Sequence, residues 1–241
     1  EKLKEMLFLS DFGPGEKKVF TISKTNTEMT FKQRTQAELS IKKGGEWKDR
    51  IYEGGKFENI HFLRVPDEHT DHSFYIRYEG PGWESDKVGY RFYLDWRNAA
   101  DIFGKKVDTL VLQDVGQDGF DSYHEIGPWG VDVLKVGESL GIGSIAYWLN
   151  NKAERVAVTD SIYCEINYSG ILESRITTTY FGWAVGDHNT NLISKLSILA
   201  GSRMTRHDLE VSGTLDNLCT GIVKLPDAEY IIPELAKGEW T

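Results

Sequence analysis

The feature that most limits what this chain can fold into is alternation. Apolar and polar residues change places at every second position over short runs, and Gly, Asn or Asp ends each run at a spacing of roughly ten residues. Residues 19–23, 28–32, 37–42 and 57–65 read as strands in this way, as do 73–79, 88–95, 109–113, 155–159, 163–168, a long run over 171–183, and 206–211. The Gly-Gly pairs in KKGGEW and EGGKF read as breaks between neighbouring strands. Helical spacing is confined to 97–103 and 144–150, with 191–199 open to either reading because Leu192, Leu196 and Leu199 fit a helix while the run also alternates. The expected fold is therefore all-β, a large antiparallel β-sandwich with few short helices. No fixed repeat, low-complexity tract or Pro-rich linker divides the chain, so residues 1–241 are expected to form a single domain.

A chain of 241 residues is long enough to bury one substantial core. Its apolar runs are interrupted far short of the roughly 20 residues that a spanning helix needs, so no membrane span is expected. The opening EKLKEM lacks an apolar h-region, which means that an export signal has been removed or was never present. With 37 acidic against 28 basic residues the net charge is -9, and this opposes nucleic-acid binding. A local group of basic side chains can still draw a small anion into one cleft. Cys164 and Cys219 are too few for a metal knuckle or a disulfide framework and read as two buried thiols, or as one disulfide in an oxidising compartment.

The densest chemistry lies in HFLRVPDEHTDHSFYIRYEGPGWESDKVGYRFYLDWRNAADIFGKK, residues 61–106. In the expected strand from Val88, Tyr90, Phe92 and Leu94 take one face while Arg91, Tyr93 and Asp95 take the other. The expected strand before it sets Tyr75, Arg77 and Glu79 on its polar side. Ordinary cross-strand ion pairs would explain such a surface. Aromatic rings on a charged face favour a sugar site, where rings meet the CH-rich sugar face and charges fix hydroxyls and acids. The intervening loop EGPGWESDK offers Trp83, Glu84 and Asp86 as ligand-facing groups, or as a surface turn capped by acids. In DEHTDH, His69 and His72 stand among Asp67, Glu68 and Asp71. That set suits a transition metal only weakly, without a helical HExxH pattern or a distant third ligand, so no metal is assigned and His72 is taken as substrate-binding.

A second cluster, DSYHEIGPWGVDVLKVGESLGIG, brings together Tyr123, His124, Trp129, Asp132 and Lys135 among five glycines. Its His, Tyr and Lys can move protons when neighbours tune them, and the plainer reading is a Gly-rich loop packed by Trp129. The Gly141-Ile-Gly143-Ser-Ile-Ala146 match to a dinucleotide fingerprint lacks the strand directly before it and the full helix after it, so no nucleotide cofactor is expected. No serine-nucleophile elbow, Walker lysine loop or paired cysteine occurs. His207 reads as a satisfied core histidine, and His188 is ambiguous.

The blocks EGPGWESDKVGYRFYLDWRNAADIFGKK and YHEIGPWGVDVLKVGESLGIG resemble a family of bacterial polysaccharide-utilisation proteins, one branch of which is an ulvan oligosaccharide dehydratase. The resemblance covers roughly residues 60 to 150 and implies a family chain that continues before the first residue here. It implies an enzyme that removes water across C4 and C5 of a terminal uronate, with an anionic oligosaccharide as partner and no cofactor. Set against that chemistry, Arg91, with Arg77 in reserve, would neutralise the substrate carboxylate, and His124 and Tyr123 would be the base and acid. Lys135 would lower the pKa of Tyr123 or act as the base itself, with His72 in reserve. Trp83 and Trp129 would stack the sugar, and Glu84, Asp86 and Tyr93 would complete its binding. Competing expectations are a polysaccharide lyase using the same β-elimination, and a non-catalytic carbohydrate-binding module with the two Trp as platform. An acidic surface and an oligosaccharide substrate favour the periplasm.

Overall fold

The computed structural model describes residues 6–24, 26, 30–119, 122–229 and 231. Among them the chain forms β1 (Thr35–Glu38), β2 (Ser40–Lys48), β3 (Ile51–Asn59), β4 (Phe62–Arg64), β5 (Gly82–Ser85), β6 (Gly89–Phe92), β7 (Ala100–Lys105) and β8 (Gly130–Asp132). There follow β9 (Ala146–Leu149), β10 (Lys152–Arg155), β11 (Ser161–Ser169), β12 (Glu173–Val185), β13 (His188–Leu199), β14 (Thr205–Val211) and β15 (Leu218–Cys219). Helix is limited to three single 3₁₀ turns, Arg77–Glu79, Leu112–Asp114 and Ser122–His124. The fold is all-β, as the alternation requires. No helix of the described residues is long and apolar enough to cross a membrane.

Two five-stranded antiparallel sheets, in the orders β1-β5-β6-β7-β8 and β14-β13-β12-β11-β4, face one another. Trp83, Tyr90 and Phe92 of the first sheet and Ile176, Tyr180, Leu192 and Ile198 of the second belong to one buried cluster. The sheets are also joined by hydrogen bonds. Trp83 Nε1 donates to Thr205 Oγ1 at 2.8 Å and the Tyr90 hydroxyl to the Arg203 carbonyl at 2.5 Å. Alternation along β12 slips once, at Gly182 (φ +63), where the register against β13 shifts and Trp183 is returned to the core. The β2–β3 hairpin is a separate two-stranded ribbon, and β10-β9-β15 form a small third sheet. Cys164 and Cys219 are both free thiols, and Cys164 is buried.

The outer face of the first sheet carries the rest of the architecture. Residues 106–119 and 122–129 fold back over it, packing Val111, Leu112, Val115 and Tyr123 around Phe103 and Tyr78 in a second buried cluster. Arg91 and Asp101 project from this same outer face, since their strand neighbours Tyr90, Phe92 and Ala100 point into the sandwich core.

Several sequence expectations are corrected here. Residues 19–23 form no strand, because no partner strand lies beside them and Val19 and Ile22 stay exposed. Of 28–32, residues 28 and 29 lie outside the described residues, and 30–32 carry no strand. Residues 73–79 are not pleated: Phe74, Tyr78 and Glu79 have φ of 58°, 37° and 70°, which a β-strand does not allow. Residues 109–113 run into a 3₁₀ turn, whereas the helices expected at 97–103 and 144–150 are the strands β7 and β9, and 191–199 belongs to β13. The Gly-Gly pairs do not break the first hairpin. Gly45 pairs with Gly54 inside it, the Tyr52 ring occupies the space beside Gly45, and the turn falls at Asp49-Arg50.

Gly80 sets the approach of the 3₁₀ turn to β6, where Leu94 N–H donates to the Glu79 carbonyl at 3.0 Å and Phe92 N–H to that of Pro81 at 3.1 Å. A Cβ at Gly80 would stand 1.7 Å from the Phe92 carbonyl oxygen. Gly80→Ala is expected to lower the urea unfolding free energy by about 1–3 kcal/mol or more, while Gly13→Ala, where a Cβ would meet nothing closer than Glu16 at 3.7 Å, leaves it unchanged. Equal midpoints for the two variants would refute this packing.

Candidate active site: a cleft built on two guanidinium groups

Arg91 lies directly opposite Asp101 in the β6–β7 pairing, so the sheet itself sets the first ion pair of the site. Its Nη2 is 2.8 Å from Asp101 Oδ2 and 2.8 Å from Asp132 Oδ2, the latter carried in by β8. Its Nη1 donates to the Tyr123 hydroxyl at 2.6 Å. The guanidinium carbon lies 4.7 Å and 4.8 Å from the ring centres of Tyr93 and Tyr123, contacts that favour a cation. Tyr93 donates its own hydroxyl to Asp101 at 2.9 Å.

A second guanidinium, Arg97, lies 4.0 Å from the centre of the Tyr93 ring. It is paired with Asp95, with Asp71 at 2.8 Å and with Glu79 at 2.9 Å. Glu79 links the two groups, since its Oε2 is 3.9 Å from Arg91 Nη1. Two guanidinium groups thus serve five carboxylates: Asp71, Glu79, Asp95, Asp101 and Asp132. A buried pair of this kind costs about 3–5 kcal/mol when one partner is removed, because the other is left charged and unsolvated.

The cleft above these pairs is open to solvent and has a free volume of about 170 Å³, smaller than the usual small-ligand site of about 300–1,000 Å³. His72, His124 and Lys135 are exposed at its edge. His124 Nδ1 stands 3.6 Å from Asp132 Oδ2. The segment leading in is strained. His72, Phe74, Tyr78 and Glu79 all adopt positive φ, a conformation that costs a non-glycine residue on the order of 1–3 kcal/mol and persists only where surroundings impose it.

These surroundings tune the acids unequally. Burial pushes the Asp132 carboxyl up to about 7, with Arg91 opposing and the neighbouring Asp101 reinforcing the rise. Burial would raise Glu79 as well, but Arg97, the His72 N–H and Arg91 together hold it below its ordinary value. Tyr123 is pushed well above the usual tyrosine range by burial, with Arg91 pulling the other way and Glu79 and Asp132 adding to the rise. Tyr123 therefore stays protonated and can only give a proton. The cation beside it is Arg91, whose Nη1 donates to its hydroxyl at 2.6 Å.

Six of the sequence candidates meet at this cleft: His72, Arg91, Tyr93, Tyr123, His124 and Lys135. Arg91 is placed there in a different capacity, since it is 2% exposed and its donors are taken by protein groups. The other candidates are corrected. Trp83 is core, stacked on Tyr90 at 5.5 Å, and cannot offer a ring to a sugar. Half-buried Trp129 packs edge-on against Phe103 at 5.9 Å and does not line the cleft. Glu84 is wholly buried, paired with Lys105 and accepting the N–H groups of Val111 and Leu112 at 2.7 and 2.8 Å. Asp86 pairs with Arg34 at 2.8 Å and accepts from Gly201 N–H at 2.6 Å. Arg77 is sealed beneath the 106–129 segment, paired with Glu38 and donating to the Leu112 and Val115 carbonyls, each at 2.7 Å. His69 turns inward to Ser73 Oγ at 2.7 Å, away from His72. Asp71, Glu79, Arg97 and Asp101 were not among the expected site residues. Asp101 was hidden by the helical reading of 97–103, and Glu79 by the assumption that 73–79 is a strand.

Over residues 1–241 the chain matches, and therefore belongs to, the family described as Domain of unknown function (DUF4861). No curated protein and no solved structure matches it.

Asp132 gives the site a pH signature. Its carboxyl holds a proton more tightly in the folded chain than in the unfolded one, so its contribution to stability is intact below its ordinary 3.8 and is lost as the pH rises through about 7. Asp132→Asn, which mimics the protonated acid, is expected to flatten the fall in urea midpoint between pH 5 and pH 8. An unchanged slope would show that Asp132 is ionised throughout.

Proposed function

We propose that this DUF4861 protein is a carbohydrate-active hydro-lyase that eliminates water from the terminal uronate of an ulvan-type oligosaccharide, leaving a 4,5-unsaturated uronate. The observation that carries this reading is the meeting of His124 and Tyr123 at the lining of a solvent-open cleft, with buried Asp132 behind them, 3.6 Å from His124 Nδ1. An exposed imidazole lies beside a carboxyl poised near neutrality, and beside both lies a phenol that can only donate. β-Elimination next to a carboxylate needs this division of labour, a base for the C5 proton and an acid for the departing C4 hydroxyl. The sequence resemblance to polysaccharide-utilisation proteins supplies the substrate class.

In this scheme His124 takes the C5 proton, and Asp132 beside its Nδ1 steadies the imidazolium that forms. The C–H electron pair becomes the C4–C5 double bond, the C4–O bond breaks, and the leaving hydroxyl takes the proton of Tyr123 to depart as water. Arg91, 2.6 Å from the Tyr123 oxygen, stabilises the phenolate left behind. His124 and Tyr123, with ring centres 4.8 Å apart, are close enough for the proton to return through one water before the next turnover. Charge on the substrate carboxylate also has to be neutralised. Arg91 is committed to Asp101 and Asp132, so among the expected candidates that task passes to exposed Lys135. The same reading carries a periplasmic location.

The test is mass spectrometry of desulfated ulvan oligosaccharides incubated with the protein, together with near-ultraviolet absorbance for the new conjugated double bond. The expected product is lighter by one water with its chain length unchanged, whereas shorter products would make the protein a chain-cleaving lyase. His124→Ala and Tyr123→Phe should each lower kcat by about 10²–10⁴-fold with the fold intact by circular dichroism. Wild-type turnover in both variants would overturn the assignment of base and acid.

A further inference from the structure

We propose that Asp71, His72 and Glu79 form a binding site for one divalent metal ion of the zinc class at the edge of the cleft. One ligand atom from each residue lies within 4.8 Å of the other two. In a tetrahedral zinc site, ligand atoms at ordinary bond lengths stand about 3.3–3.5 Å apart, so side-chain torsions must draw this set in by up to about 1.5 Å to close on an ion. One imidazole nitrogen with two carboxylate oxygens is a borderline donor set that suits Zn²⁺, whereas Ca²⁺ prefers oxygen alone.

Two observations beyond the donor set point to an ion. Asp71 Oδ1 is sealed from solvent and takes part in no hydrogen bond, although His72 Nδ1 and Arg97 Nη1 each stand 2.8 Å from it. The local charge is also unbalanced: the single guanidinium of Arg97 is shared by Asp71, Glu79 and Asp95, and a divalent cation would correct the deficit. The ligands are already held in place. His72 N–H donates to Glu79 Oε1 at 3.0 Å, tying two of them together across the strained turn. Arg97 keeps its hold on Asp95 through Nε, at 3.0 Å, when an ion takes over Asp71.

Three protein ligands leave coordination positions open toward the cleft. The task we assign to the ion rests on the proposed elimination: an open position would receive the uronate carboxylate alongside exposed Lys135, since buried Arg91 cannot reach it. The site itself stands on the donor geometry.

The experiment is calorimetric titration of the chelator-stripped full chain with Zn²⁺, with bound metal counted by elemental mass spectrometry. One ion per chain is expected, with affinity at least about tenfold weaker in His72→Ala and in Asp71→Asn, and with Ca²⁺ binding more weakly than Zn²⁺. Circular dichroism and urea midpoints show whether each variant has kept its fold. No retained zinc in the wild type, or equal affinity in both variants, overturns the site. Zinc bound as expected but no water lost from uronate oligosaccharides leaves the site standing and overturns the elimination instead. Full-rate elimination by the stripped wild type overturns the carboxylate-binding task.

Discussion

The outer face of the first sheet depends on one buried cation. Arg91 is the point at which a β-strand, a neighbouring strand, the strand after the long covering segment and that segment's last turn are brought into register, through Asp101, Asp132 and Tyr123 respectively. The sheet fixes the first of these contacts by direct cross-strand pairing, and the others follow because a desolvated guanidinium cannot leave its donors unfilled. Two tyrosine rings close over its faces and deny it to water. Arg91 is thereby excluded from substrate binding, and the same saturation makes it able to hold two acids and a phenol at fixed positions.

The parts of this arrangement that were legible in the sequence are those that depend on a single strand. The alternation from Tyr90 to Asp95 assigned Arg91 and Tyr93 to the face opposite the core, because side chains in a pleated chain must alternate. His124, Tyr123 and Lys135 were legible as a cluster because a titratable, aromatic, Gly-rich run is unlike a solvated surface. The all-β fold was legible for the same reason of period, repeated along the chain.

What was not legible depends on which strand lies beside which. Trp83, Glu84 and Asp86 look like a ligand-facing loop when only their own neighbours are considered, yet Trp83 faces the second sheet, Glu84 meets Lys105 and Asp86 meets Arg34. Residues 73–79 alternate as a strand does, but Phe74, Tyr78 and Glu79 are bent into the left-handed region by contacts made elsewhere. Asp101 was obscured because a short apolar run fits both periods, and only the pairing of β7 with β6 decides between them. Local pattern determines which face a residue takes, and tertiary neighbours determine what that face meets.

Arg77 and Glu84 hold the 106–129 segment down from beneath, by its carbonyls at Leu112 and Val115 and by its N–H groups at Val111 and Leu112. The last turn of that segment carries Tyr123 and His124. Neither Arg77 nor Glu84 borders the cleft, yet both tether the segment that ends in Tyr123 and His124. If the proposed elimination holds, a mutational survey scored by turnover alone would rank these two buried residues beside Tyr123 and His124, and only a parallel measurement of how firmly the segment is anchored would tell the moorings from the chemistry.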